Sequence, residues 1–138
     1  MTDHRSPDEQ CRALIVNYHG DIDRGRASAA IQYFDDDAEF EARGERLRGR
    51  EQILKFLTDR EAQTGRYTVH VVANPVTVES SHDTVEISAL IMLHVRHQDG
   101  EYALERVLDT RHRFRSTPTG YKIVSRTSTP LHDAVPAG

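Results

Sequence analysis

The sequence predicts an α+β fold in which three helices are laid over one strongly curved antiparallel sheet. Up to about residue 65, apolar residues recur at the three- and four-residue spacing of amphipathic helices. Beyond Gly65 the chain turns extended, rich in Val and Thr, and proceeds in long segments of period two. Asp99-Gly100 and Pro118-Thr119-Gly120 then divide that half into hairpins. Helices first and strands afterwards mean segregated layers, not alternating β-α-β units.

Residues 1–6 read as a frayed lead. The first helix opens at Ser6-Pro7-Asp8-Glu9, where Ser caps and Pro suits the first turn. Its inward stripe is Cys11, Leu14, Ile15, Tyr18 and Ile22, and it runs to about Ile22 with Gly20 in its last turn. A second helix is expected after Asp23, because Ala27, Ala30, Ile31 and Phe34 fall at i, i+3, i+4 and i+7; Asp35-Asp36-Asp37 ends it. Residues 38–42 alternate, with Phe40 on one face and Glu39 and Glu41 on the other. Arg43-Gly44 turns the chain. A third helix follows Gly49, with Ile53, Leu54, Phe56 and Leu57 as its apolar contacts and Thr64-Gly65 as its stop.

Four long strands supply the rest. Residues 67–79 form the first, with Pro75 marking an edge or a bulge. Residues 84–97 carry Val85, Ile87, Ala89, Ile91, Leu93 and Val95 on one face and Glu86, Ser88, Leu90, Met92, His94 and Arg96 on the other. Leu90 and Met92 in that second face imply that it too is covered, by a helix, a partner subunit or a ligand. Residues 101–116 pair back, and residues 121–127 close the sheet. Residues 130–138 read as a tail.

A length of 138 residues suits a single domain, 1–138, with one substantial core. Hydrophobic and charged fractions of 37% and 29% exclude a disordered chain, and no apolar run approaches a membrane span. The polar start MTDHRSPDEQ lacks the apolar core of a secretory signal, so a cytoplasmic location is expected. Cys11 is the one cysteine, which excludes an intrachain disulfide. A formal charge of −4 argues against nucleic-acid binding. The local exception, Arg111-His112-Arg113-Phe114-Arg115, places its arginines on one strand face and reads as a solvated or partner-facing edge. The eight histidines form no metal-ligand spacing, and no Gly-rich phosphate loop occurs, so neither a metal nor a nucleotide cofactor is expected.

The stretch through Phe34, Asp37, Ala38, Phe40, Gly49 and Arg50 resembles the opening of the SnoaL-like members of the nuclear-transport-factor-2 superfamily. The likeness extends over about residues 8 to 130. It implies a cone-shaped half-barrel with a pocket between the helices and the concave sheet face, which periodicity alone does not give. The dehydrochlorinase and scytalone-dehydratase branch is the most similar. Its pattern implies that His70, opening an H-x-x-x-N run that ends at Asn74, is a base. Asp23 then orients it, and Arg126, after Gly120-Tyr121-Lys122-Ile123, lines the pocket. Tyr121 departs from the pattern, standing where Trp is frequent.

The chemistry has a physical basis. A neutral imidazole is a competent base near neutral pH, a carboxylate on its other nitrogen fixes the tautomer, and an Arg stabilises an oxyanion or a leaving group. Each residue also has a plainer reading. Asp23 could cap the second helix on Gly25 or Arg26, and Asp21 competes with it for His70. A His among Val69, Val71 and Val72 is more often a satisfied core residue. Arg126 could pair with Asp109 or Asp21. Tyr18, Tyr33 and Asn74 are candidate substrate contacts, the two tyrosines through their hydroxyls.

Two functions follow. One is a cofactor-independent lyase or isomerase that transfers a proton on a small hydrophobic or cyclic substrate. The other is a non-catalytic ligand-binding or assembly subunit of the same fold, as the β subunits of ring-hydroxylating dioxygenases are. A covalent intermediate is not expected: Cys11 lies on the inward stripe, no G-x-S-x-G elbow occurs, and neither Lys55 nor Lys122 lies in an apolar segment. Self-association is expected as a homodimer, with a trimer as the other arrangement.

Overall fold

The computed structural model describes residues 3–42 and 44–132. Arg43 of the expected turn, the first two residues of the lead and residues 133–138 of the expected tail lie outside them. Helix α1 (Pro7–Asp23) begins as expected, with the Ser6 hydroxyl accepting from the Glu9 backbone N–H at 3.2 Å. Asp8 and Glu9 in its first turn complement the helix dipole. The inward stripe buries Cys11, Ile15, Tyr18 and Ile22.

The second helix is a single 3₁₀ segment (Ala27–Tyr33), and Phe34 opens strand β1 (Phe34–Ala42) instead of ending the helix. Asp35-Asp36-Asp37 therefore lies within the strand, contrary to its expected role as a helix stop. A register break explains how. β1 pairs with β6 (Gly120–Pro130) at Phe34 opposite Ile123 and next at Glu39 opposite Ser125. The intervening acidic residues bulge out of the ladder. There Asp35 meets Arg115 at 2.6 Å and Asp36 meets Arg50 at 3.6 Å.

Strand β2 (Glu45–Arg48) forms a hairpin with β1, and helix α2 (Gly49–Glu61) follows it. β2 has no counterpart in the sequence reading, because ERLR offers one apolar residue in four and so no alternation to detect. Strands β3 (Thr68–Ser80), β4 (Thr84–Arg96), β5 (Tyr102–Thr117) and β6 complete a curved, unclosed sheet of order β2-β1-β6-β5-β4-β3. Helices segregated on one sheet make the fold α+β, the cone type expected. One pairing differs: β1 lies parallel to β6, so the sheet is mixed and not wholly antiparallel.

Phe40, Ile53, Leu57, Ile87, Ile91, Phe114 and Ile123 fill the space between the concave face and the helices. On the opposite face of β4, Leu90 stands opposite Ala73 and Asp109, and Met92 opposite Val71 and Val107. Val69 and Val71 on that face are 41% and 42% exposed, so no helix covers it. Among the described residues, no helix is long and apolar enough to cross a membrane.

Candidate functional site

The site begins where α1 ends. Asp23 is the last residue of that helix, and edge strand β3 runs past it with Thr68 and His70 on the same face. An edge strand leaves alternate backbone N–H groups without a ladder partner, and Asp23 takes one of them. Its Oδ2 accepts from the His70 backbone N–H at 2.7 Å. Its Oδ1 accepts from the Thr68 hydroxyl at 2.8 Å and pairs with His70 Nδ1 at 2.6 Å. An ionised carboxylate only accepts, so His70 Nδ1 carries the proton and Nε2 keeps its lone pair. No described residue bonds that Nε2, and His70 lines a cavity of about 490 Å³.

Asp23 therefore does not cap the 3₁₀ segment. The Gly25 and Arg26 N–H groups go to Ile22 and Asp21 carbonyls, and Arg26, the N-cap, makes no side-chain cap. Asp21 does not compete for His70 either. Two helix positions away, it faces another direction, accepting from Arg26 Nε and from the Tyr33 hydroxyl, each at 2.8 Å. Tyr33 is thus committed to Asp21, and burial together with that carboxylate pushes its hydroxyl up to about 12. Asn74 takes a positive φ of 49° where the β3–β4 register breaks between Ala73 and Val76. Neither Tyr33 nor Asn74 lines the cavity, whereas Tyr18 does.

Arg126 stands opposite Phe40 in the parallel β1–β6 pairing and is 5% exposed. Its guanidinium lies 4.8 Å from the Phe40 ring centre and 5.4 Å from that of Tyr18. These are cation–π contacts, which offset part of the desolvation. No described carboxylate pairs with it. Asp21 is engaged elsewhere, and Asp109 falls an odd number of positions from His112, the residue opposite Arg126, and so on the other sheet face. Burial lowers the Arg126 pKa, with the nearby Tyr18 hydroxyl acting the other way. A guanidinium remains protonated even so. Its Nε donates to nothing among the described residues.

Two further histidines surround this cation. His19 is 2% exposed; its Nδ1 lies 2.8 Å from the Ile15 carbonyl, its ring centre is 5.0 Å from that of His70, and its Nε2 has no partner among the described residues. Burial first, then Arg126 and His70, holds its pKa well below the ordinary value. His112 is fully buried and stacked on Phe114, with neither ring nitrogen bonded to a described residue, and burial followed by Arg126 depresses its pKa likewise.

Ile22, Phe56, Leu93 and Leu108 supply apolar wall, while Arg60, Arg66 and Arg106 also reach the cavity. The one acidic side chain lining it, Asp59, is 2.8 Å from Lys55. Arg66 is 4.0 Å from Glu105, which leaves the buried Arg126, with no described carboxylate partner, as the wall cation that favours a ligand group bearing or developing negative charge. Among the described residues, no group of three or more His, Cys, Asp or Glu is placed to hold a metal ion.

The SnoaL-like domain family matches this chain over residues 5–127. The chain belongs to this family. No curated protein matches it. Among solved structures, an NTF2-like protein with a cystatin-like fold from Novosphingobium aromaticivorans is similar with a TM-score of 0.80 at 24% identity, over 91% of this chain and 82% of that one. Aln2 from a Streptomyces species gives 0.77 at 18%, over 93% and 94%. A proposed dehydratase of the NTF2-like family from Streptomyces avermitilis gives 0.77 at 18%, over 93% and 100%. At these identities the likeness is one of fold.

In this SnoaL-like domain His19 and Arg60 are site residues beyond those expected, although the sequence carries a signal for both. Ile15, Tyr18, His19 and Ile22 fall at i, i+3, i+4 and i+7, as do Ile53, Phe56, Leu57 and Arg60. Each helix thus carries a basic residue, His19 or Arg60, on its inward stripe. Arg106 and Leu108 share a strand face by period two, but nothing in the sequence shows that this face lines a cavity.

Proposed function

We propose that this SnoaL-like domain is a cofactor-independent lyase or isomerase that moves a proton on a small, largely apolar cyclic substrate. The observation that carries the reading is the Asp23–His70 pair. Its 2.6 Å contact leaves Nε2 unbonded and His70 bordering the cavity. An assembly subunit has no need of a histidine held in one tautomer against an open pocket, so this geometry favours the enzyme over the non-catalytic reading.

In the proposed step, Nε2 takes a proton from a carbon next to a carbonyl, and the C–H electron pair moves onto the carbonyl oxygen. The resulting imidazolium is stabilised by Asp23, whose other donors, Thr68 and the His70 backbone N–H, hold it in place. The enolate oxygen is stabilised by the Arg126 guanidinium in a low-dielectric site. Returning the proton to another carbon gives isomerisation; giving it to a departing hydroxide gives dehydration.

The test needs no knowledge of the final product. Cyclic ketones such as 2-tetralone are incubated in D₂O, and loss of their α-proton signals is followed by NMR. The protein should accelerate exchange, and His70→Asn should reduce the acceleration by about 10²–10⁴. Equal exchange by the variant, or no acceleration by the wild-type protein, would refute the reading.

A further inference from the structure

Two orphaned atoms belong to residues that line the cavity, and they are of opposite kind. His19 Nε2 and Arg126 Nε are both buried, and neither has a partner among the described residues. Each belongs to a residue that lines the cavity and lies against Tyr18. The His19 ring is 4.8 Å from the Tyr18 ring, and the Arg126 guanidinium is 5.4 Å from it. The Arg126 atom can only donate. At His19, the Ile15 carbonyl can only accept, so Nδ1 carries the proton and Nε2 is an acceptor. Burial keeps the ring neutral, so the acceptor persists at physiological pH. Buried polar atoms are nearly always satisfied, and an orphaned donor and an orphaned acceptor on residues of one pocket call for a ligand that bears the complementary groups.

We infer that His19 is a specificity-determining substrate residue, and that with Arg126 it takes a hydroxyl group beside a carbonyl or enolate oxygen: the hydroxyl donates to His19 Nε2 and the oxygen accepts from Arg126. The inference rests on the proton-transfer reading and adds what the substrate must carry. His70 acts at a carbon, Arg126 holds the oxygen that gains charge, and His19 selects for a neighbouring hydroxyl. A substrate lacking that hydroxyl leaves Nε2 buried and unpaired, which is how a polar pocket rejects a near-isostere.

The test is a binding measurement, and so does not depend on turnover. Calorimetric titrations compare 2- and 3-hydroxyacetophenone with the corresponding methoxyacetophenones, which exchange the donor for a methyl ether, and with the corresponding fluoroacetophenones, which lose the donor without added bulk. At least one hydroxyl isomer should bind about tenfold or more tightly than both its methoxy and its fluoro counterpart. His19→Phe should erase the difference, and His70→Asn should retain it. In the wild-type protein, the ¹⁵N resonance of His19 Nε2 should shift on adding the hydroxyl isomer and not the methoxy one, a readout that survives poor folding of the variant. Equal affinities within each pair, no measurable binding of either hydroxyl isomer, or a preference intact in His19→Phe would overturn the inference. A hydroxyl preference without any α-proton exchange would leave this subsite standing and remove the proton-transfer reading.

Discussion

Acid should destabilise this protein through two particular side chains, His19 and His112. Both are buried, and both have pKa values held well below the ordinary one, chiefly by desolvation and then by the Arg126 charge. Arg126, the His70 ring and the His112 ring face His19, and Arg126 faces His112; no described carboxylate partners either ring. In the unfolded chain each imidazole titrates near ~6.5, whereas in the folded protein it stays neutral below that pH. The unfolded state therefore binds more protons as the pH falls, so stability is fully present above about 6.5 and is lost progressively below it. At pH 5.5, one unit below the unfolded value, each ring that stays neutral contributes about 1.4 kcal/mol of lost stability, or about 2.7 kcal/mol for the pair relative to pH 7.5. Urea denaturation at pH 7.5 and 5.5 measures this. Comparing the wild-type protein with His19→Phe, His112→Leu and the double variant cancels the titration of other groups. Each single substitution should remove about 1.4 kcal/mol of the pH-dependent loss. A loss that is the same size in the double variant as in the wild type would refute the assignment.

Other consequences follow from the same geometry. In Asp23→Asn the amide N–H₂ turned toward His70 Nδ1 would force that nitrogen to accept, moving the proton to Nε2; α-proton exchange should fall by about 10²–10⁴ with little change in ligand affinity. Arg126→Met removes a buried cation that has no carboxylate partner among the described residues; it should raise the unfolding free energy by about 1 kcal/mol or more while abolishing exchange, and a less stable variant would contradict the account. Cys11, whose thiol is pushed up to about 12 by burial and then by Asp8, should resist iodoacetamide in the native protein and react once unfolded, as mass spectrometry would show. We also propose that the open sheet face bearing Leu90, Met92, Val69 and Val71 is a homodimer interface. Light scattering should then give a dimer that Met92→Arg converts to a monomer, and a wild-type monomer across a wide concentration range would sink the proposal.

The parts of the fold that the sequence announced are those whose pattern repeats. The α1 stripe, the period-two alternation of β4 and the Asp99-Gly100 turn each involve several residues pointing to one answer, and each is where expected. What escaped was decided by partners distant in the chain. The 27–34 spacing fits a helix on local grounds, yet Phe34 is claimed by a pairing to Ile123. β2 is held by its hairpin to β1, not by its own composition.

The site divides the same way. Asp23 and His70 are 47 positions apart, and the resemblance supplied their pairing, which no spacing rule contains. Reading residues alone left Asp23 a capping role. What decided between the two was the edge position of β3, whose free N–H at His70 draws the carboxylate to the strand before the imidazole is considered. His19 and Arg60 show the converse. They occupy core positions of amphipathic stripes, where an ionisable residue either satisfies a neighbouring polar group or faces a cavity, and the sequence cannot distinguish these. Arg60 does both: it donates to the Arg66 carbonyl and the Thr68 hydroxyl and also borders the cavity. His19 satisfies one nitrogen on its own helix and leaves the other bare. An unpaired buried acceptor in a folded protein is expensive unless a ligand completes it, so its persistence on a cavity wall is itself an argument about what that cavity holds.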